Sequence, residues 1–281
     1  MEDKTLFEDD GLYLPEVGPW ALSKHKKIGY YSAIFAASMK KKWDCRVYLD
    51  LFSSAGKCKI KGTNEVVPGS PLLALSVDVP FDRYIFCEEK SESMDALQKR
   101  VEKYYPEREC SFILGNTNSA VNEIINAVPE FNRNYRGLTF CFVDPYKMDE
   151  LKFDTIRKLA KHLYIDFLIL IPTFMDINRN EKPYTSETNW TIDTFLGNSE
   201  WRAKWANRND SSTKFGNFIT EQFCDQMKNL GFLYETPKDL ELIRMPGNIP
   251  LYHLGFFSTS KLGLKFWRET MINTTDQIKL F

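Results

Sequence analysis

The sequence lacks several features that would fix its chemistry at once. No run approaches the roughly 20 consecutive apolar residues that a membrane span requires, although 43% of its 281 residues are hydrophobic. Its first residues, MEDKTLFEDDGLYLPEVG, are acidic where a secretory leader would be basic and then apolar, so the expected location is cytoplasmic, with no membrane partner. Six cysteines at Cys45, Cys58, Cys87, Cys110, Cys141 and Cys224 include no CxxC pair, and they read as reduced thiols rather than a disulfide framework. His25, His162 and His253 form no HExxH spacing, so no metal site is expected. A complete G-x-G-x-x-G is missing, which ranks a nicotinamide-dependent oxidoreductase last among the enzyme classes considered. No repeat or low-complexity linker divides the chain, and one elaborated domain over 1–281 is the simplest organisation.

Charge is nearly balanced overall, at -1, but unevenly placed. Residues 1 to 17 are acidic. From Trp20 to Lys61, ten basic residues (Lys24, Lys26, Lys27, Lys40, Lys41, Lys42, Arg46, Lys57, Lys59 and Lys61) meet only Asp44 and Asp50. Two readings stay open: the solvated face of an amphipathic helix, or a surface that approaches phosphates.

Periodicity supplies the architecture. Ile28, Tyr31, Ile34, Phe35 and Met39 recur at helical spacing, giving an amphipathic helix within an N-terminal helical extension over 1–44. RVYLDLF (46–52) reads as a buried strand, and SSAGKCKIKGTNEVVPGS after it as a turn-rich binding loop. Ser70-Pro71 opens a short helix, with serine able to cap and proline suited to the first turn. Further strands are expected at YIFCEE (84–89), CSFILGN (110–116), LTFCFVDPY (138–146) and YIDFLILIP (164–172), with helical segments between them. Such alternation argues for crossover units and a parallel sheet covered on both faces. The stretch of about 173–232 turns polar and reads as an insertion or cap with a helix near Phe215 to Leu230. LELIRM (240–245) and LYHLGFFS (251–258), joined by PGNIP, are too close for a helical crossover and form an antiparallel pair, before a closing helix over Leu264 to Thr270. The expected fold class is therefore α/β: a mostly parallel Rossmann-like methyltransferase sheet with a C-terminal antiparallel hairpin and a partly helical insertion.

Ligands of open parallel sheets bind beyond the carboxyl ends of the strands, so the candidate residues stand there. Asp50, Phe52, Ser53 and Gly56 follow the first strand, where small residues let backbone approach a ligand closely. Glu88, at the end of the second, has the carboxylate that accepts two ribose hydroxyls in nucleoside-binding sheets of this type. Asn116, after the third, could bond an adenine edge or simply start a turn. Asp144-Pro145-Tyr146, after the fourth, resembles a shortened Asp/Asn-Pro-Pro-Tyr motif of amino methyltransferases, in which oriented acceptors draw the protons of an amine and the ring stacks on a base. The bland alternative is a strand-ending turn.

With these blocks in view, the chain resembles the three-Cys-motif partner protein family. The resemblance is carried in order by VGPWALSKHKKIGYY, YLDLFSSAG, PGSPLLAL, FVDPY, DTFLGNSEW and LYHLGFFSTSKLGLKFW. It implies a Rossmann core, S-adenosylmethionine as cofactor, and a cysteine-rich, iron-sulfur-like partner protein. It further implies Asp50, Phe52, Ser53, Gly56 and Glu88 on the cofactor side, Asp144, Pro145 and Tyr146 on the reaction side, and Trp20, Lys24 and Ser70 lining the site. The chain departs from the family pattern D-L-F-A-G-P-G at Ser54 and Ala55, and Lys147 stands where a glycine commonly follows Asp-Pro-Tyr. Two functions are carried forward: methyl transfer to an amine, with a nucleic-acid base as the acceptor, and a non-catalytic nucleotide-binding or scaffold protein of a multi-protein system, defence systems included.

Overall fold

A strand sandwiched between two helical layers must be apolar on both faces. Three segments meet that demand with every residue buried: β2 (Cys45–Asp50), β7 (Gly137–Val143) and β8 (Ile165–Ile171). They lie side by side at the centre of a seven-stranded sheet completed by β5 (Arg83–Glu88), β6 (Cys110–Leu114), β9 (Glu241–Met245) and β10 (Ile249–Phe257), in the order β6-β5-β2-β7-β8-β10-β9. All neighbouring pairs from β6 to β8 are parallel, whereas β10 runs antiparallel to both β8 and β9. The computed structural model describes residues 4–173, 181–208, 210, 212–234, 240–245 and 248–278.

Side chains of successive strand residues enter opposite layers. Cys141 and Val143 of β7, with Phe167, Ile169 and Ile171 of β8, pack into one layer; Phe140, Phe142, Leu168 and Leu170 pack into the other. The first layer is closed by α4 (Val121–Ala127), α5 (Phe153–His162) and helices between β8 and β9: α6 (Glu181–Thr185), α7 (Thr191–Leu196), α8 (Glu200–Ala206) and α9 (Phe215–Asn229). The second is closed by α1 (Ala21–Met39), α2 (Ser70–Leu75), α3 (Ser91–Tyr104) and α10 (Lys261–Ile278). Tyr31 of α1 anchors that helix to the sheet, its ring 5.1 Å from Phe140 and 4.8 Å from Phe256. Aromatic pairs of this kind contribute about 0.5–1.5 kcal/mol each beyond their buried area.

Several expectations need correcting. The segment after β2 is not an open loop: β3 (Lys57–Ile60) and β4 (Val66–Pro68) form an antiparallel pair, and β1 (Glu16–Val17) joins β3 in parallel. Cys58, Ile60 and Val67 give this small sheet its own core, an alternation too short to stand out among the turn residues around it. The N-terminal extension is not helical throughout, because α1 begins only at Ala21 and residues 8–17 run as a strap ending in β1. The insertion holds more helix than the expected 215–230 segment, and the closing helix is longer than 264–270. Pro246 and Gly247 of the expected PGNIP turn lie outside the described residues, as do residues 174–180 of the insertion. No helix among the described residues is long and apolar enough to cross a membrane.

Candidate functional site

The carboxyl ends of β2, β5, β6 and β7 open onto one cleft of about 300 Å³, at the lower end of the range for small-molecule sites. Its nucleoside-side candidates are held by local bonding. Ser53 donates both its backbone N–H (3.0 Å) and its hydroxyl (3.1 Å) to the Cys87 carbonyl, which ties the turn after β2 to the end of β5. That turn presents the Ser54 N–H to Glu88 Oε2 at 2.9 Å, while Glu88 Oε1 accepts the Lys90 N–H at 2.8 Å. A carboxylate oxygen accepts more than one hydrogen bond, so Glu88 is oriented without being saturated.

The turn has an unusual backbone. Ser54 has φ +53° and Gly56 φ +79°. The left-handed conformation costs an L-residue about 1–2 kcal/mol, so the departure at Ser54 falls where glycine would be at ease. Gly56 is required for a second reason: a Cβ there would lie 2.8 Å from Leu97 Cδ1.

On the opposite side, Asp144 stands at the end of β7 and is ion-paired with Lys24, which the anchored α1 carries into the cleft. Tyr146 is 76% exposed at the rim, and its N–H donates to Glu150 Oε2 at 2.7 Å. Between the two sides, Asn116 accepts the Asn118 N–H at 3.0 Å. Asn118 in turn bonds the Glu150 carbonyl (2.7 Å), the Lys152 N–H (2.9 Å) and the Thr155 hydroxyl (2.8 Å). One amide side chain thus couples the third and fourth strand tips.

Among the sequence candidates, Phe52, Ser53, Gly56, Glu88, Asn116, Lys24, Ser70, Asp144 and Tyr146 line this cleft. Asp50, Pro145 and Trp20 do not. Asp50 is fully buried, accepting the Tyr48 hydroxyl (3.2 Å) and the Phe52 N–H (3.2 Å). Burial pushes its pKa up to about 7, against the opposing hydrogen bonds from Ser70 and Phe52. It therefore shapes the turn from beneath and offers no acceptor to a ligand. Pro145 is buried, and the Trp20 ring covers Gly18, where a Cβ would fall 2.1 Å from the indole.

Residues missed from sequence include Tyr13, Pro15 and Val17, which form the outer wall, and His25 beside Lys24. The wall gave no periodic signal. His25 Nδ1 is buried with no hydrogen-bond partner among the described residues, and burial followed by the Lys24 charge lowers its pKa to about 3.

Four of the ten basic residues between Trp20 and Lys61 are consumed in internal ion pairs. Lys24 pairs with Asp144, Lys27 with Glu241 (2.7 Å), Arg46 with Asp82 (2.9 Å) and Lys57 with Asp10 (3.2 Å). What remains at the surface is dispersed, with Lys26 and Lys61 exposed and Lys40 to Lys42 at the far end of α1. All six cysteines are free, and among the described residues no three His, Cys, Asp or Glu side chains group as metal ligands.

A parallel sheet with one reversed strand in its C-terminal hairpin, and a ligand-sized cleft at its strand tips, is the Rossmann-like methyltransferase architecture. No protein-family model matches the chain, and no curated protein matches it in sequence. Among solved structures, the protein LPL1258 from Legionella pneumophila str. Philadelphia 1 superposes with a TM-score of 0.51 at 14% identity, covering 88% of this chain and 91% of that one, which is a likeness of fold. Lower in similarity are magnesium protoporphyrin IX methyltransferase from Synechocystis PCC 6803 with bound SAH (TM-score 0.43, 7% identity, 84% of each chain) and an O-methyltransferase from Bacillus cereus in complex with SAH (TM-score 0.46, 10% identity, 82% of this chain and 80% of that one).

Proposed function

We propose that the chain binds S-adenosylmethionine in the strand-tip cleft and transfers its methyl group to an amine, with a nucleic-acid base as the acceptor class and a three-cysteine protein, implied by the family resemblance, as partner. The observation that carries this reading is the convergence of Glu88, Asn116 and the Asp144–Tyr146 loop, from three separate strand tips, on one cleft. Glu88 would accept the ribose hydroxyls; what supports this is that both its oxygens are steered by backbone N–H groups and keep acceptor capacity. Bound there, the cofactor would supply an electrophilic methyl on sulfonium. The chain's own part is to hold the amine: the Asp144 carboxylate accepts its N–H and orients its lone pair, and Tyr146 offers an exposed ring on which a base can stack. Lys24 must leave Asp144, or turn aside, for the amine to take its place.

Calorimetry with S-adenosylmethionine tests the binding step. Losing the charged acceptor in Glu88→Ala should weaken the affinity at least tenfold, the equivalent of about 1.5–3 kcal/mol. A wild-type protein that takes up no cofactor at millimolar concentration would overturn the reading. For the transfer step, radiolabelled methyl should enter DNA, RNA or protein and vanish with Asp144→Ala.

A second reading, a non-catalytic methyltransferase-like binding or scaffold protein, draws on two specific observations: Lys24 already neutralises Asp144, and Ser54 burdens the turn with a Cβ at positive φ. Cofactor binding with no transfer to any of the three polymers, and co-purification with a cysteine-rich partner, would favour it.

A further inference from the structure

The strap over residues 8–17 is fixed by a buried cluster of charges that the strand-tip reading leaves unused. The Asp10 carboxylate receives Arg100 Nε at 2.9 Å and Arg100 Nη2 at 2.7 Å, and Lys57 Nζ stands 3.2 Å away. The Arg100 and Lys57 side chains are 0% exposed and that of Asp10 5%. Together the two cations hold its pKa far below the carboxylate range, overcoming the burial that would raise it. Backbone carbonyls and a phenol add to the bonding of both cations. Arg100 Nη1 donates to Tyr13 O (3.0 Å) and Ala55 O (2.6 Å), and Lys57 Nζ donates to Glu8 O (3.0 Å) and the Tyr104 hydroxyl (3.2 Å).

Buried ion clusters contribute little net stability, because desolvation offsets their attraction; what they fix is geometry. Here the geometry connects two parts of the cleft. Tyr13 belongs to its outer wall, and Ala55 lies between Ser54, whose N–H orients Glu88, and Gly56. A single planar guanidinium, with its donors in a rigid fork, bonds the carbonyls of both.

We propose that Asp10 and Arg100 are positioning residues for the cleft: without touching a ligand, they hold the strap and the turn after β2 as one rigid unit, so that the wall stands opposite Glu88 at a fixed distance. The consequence for affinity rests on the reading that the cleft takes an adenosyl ligand; the mechanical coupling does not.

Hydrogen exchange of the ligand-free full chain, read by mass spectrometry, tests the coupling directly. In Arg100→Lys, which keeps the charge but loses the fork, amides of both 10–17 and 52–56 should exchange at least tenfold faster, while those of β7 and β8 keep wild-type protection. Acceleration in one segment alone, or in neither, overturns the proposal. Where Arg100→Lys also deprotects the central strands, Asp10→Asn, which leaves every donor in place, decides by the same criterion. The exposed neighbour of Arg100 on α3, in the variant Lys99→Gln, serves as control and should change neither segment. Calorimetry with S-adenosylhomocysteine adds a second readout: affinity should drop tenfold or more in Arg100→Lys with kcat at saturating cofactor unchanged, and unaltered affinity counts against positioning. A wild-type chain that binds no S-adenosylhomocysteine would sink the proposed function, while the exchange result alone would still judge the clamp.

Discussion

Asp166 offers a test of the packing that is independent of any ligand. It stands near the beginning of β8, at the end of the strand away from the cleft, and is only 5% exposed. Burial pushes its pKa from 3.8 up to about 7, against a hydrogen bond from Ser258. The folded chain thus keeps this proton over a pH range in which the unfolded chain has released it. Stability from this group is complete below pH 4, declines as pH rises, and is lost once pH passes about 7. At about 1.4 kcal/mol per pH unit, the interval is equivalent to about 4 kcal/mol, of which about 2–3 kcal/mol falls between pH 5 and pH 8. Asp166→Asn replaces the protonated carboxyl with a neutral group of the same shape and removes the titration. Urea unfolding of both proteins at pH 5, 6, 7 and 8 should show the variant gaining on the wild type by about 2–3 kcal/mol across the series. Asp50 and the other titrating groups are common to both proteins and cancel in the difference. A gap that stays constant with pH would refute the reasoning, since it would mean that Asp166 ionises in the fold as it does in water.

Further outcomes are expected at the turn and the thiols. Gly56→Ala forces a Cβ into a left-handed residue and within 2.8 Å of Leu97, costing about 2 kcal/mol or more in thermal or urea unfolding; an unchanged midpoint would contradict the backbone described for the turn. Ser54→Gly should leave stability within about 1 kcal/mol of wild type, because relief at φ +53° is offset by the greater freedom of glycine in the unfolded chain. A large drop would show that the serine hydroxyl holds the turn. Burial pushes Cys87 up to about 12 and Cys58 up to about 11, so a thiol-specific reagent at pH 8 should label these two buried thiols slowly in the native chain and all six cysteines once it is unfolded; rapid native labelling of Cys58 or Cys87 would refute their burial.

Local pattern determined much of this protein. The runs at 46–52, 138–146 and 164–172, apolar apart from Arg46, Asp50, Thr139, Asp144 and Asp166, are buried most readily between two layers, and the short PGNIP link allows only an antiparallel return, so the parallel centre and the reversed last strand of the sheet followed from the residues themselves. Strand-end rules likewise placed Glu88, Asn116 and Asp144 at a common edge, because those rules concern where chain direction ends, and sequence records direction. Tertiary structure alone decided how charges were spent. Asp10 belongs to the acidic first residues and nothing in the sequence ties it to Arg100, yet folding across 90 residues of separation makes them a buried pair. Lys24, Lys27, Arg46 and Lys57 were drawn in the same way from an evidently basic stretch into separate ion pairs, and Asp50 was drawn under the turn it was expected to adorn. Helical spacing encodes ion pairs such as Lys158 with Asp154, but partners far apart in the chain are chosen by proximity in space, at distances of a few ångströms, and that proximity exists only once the apolar layers have closed.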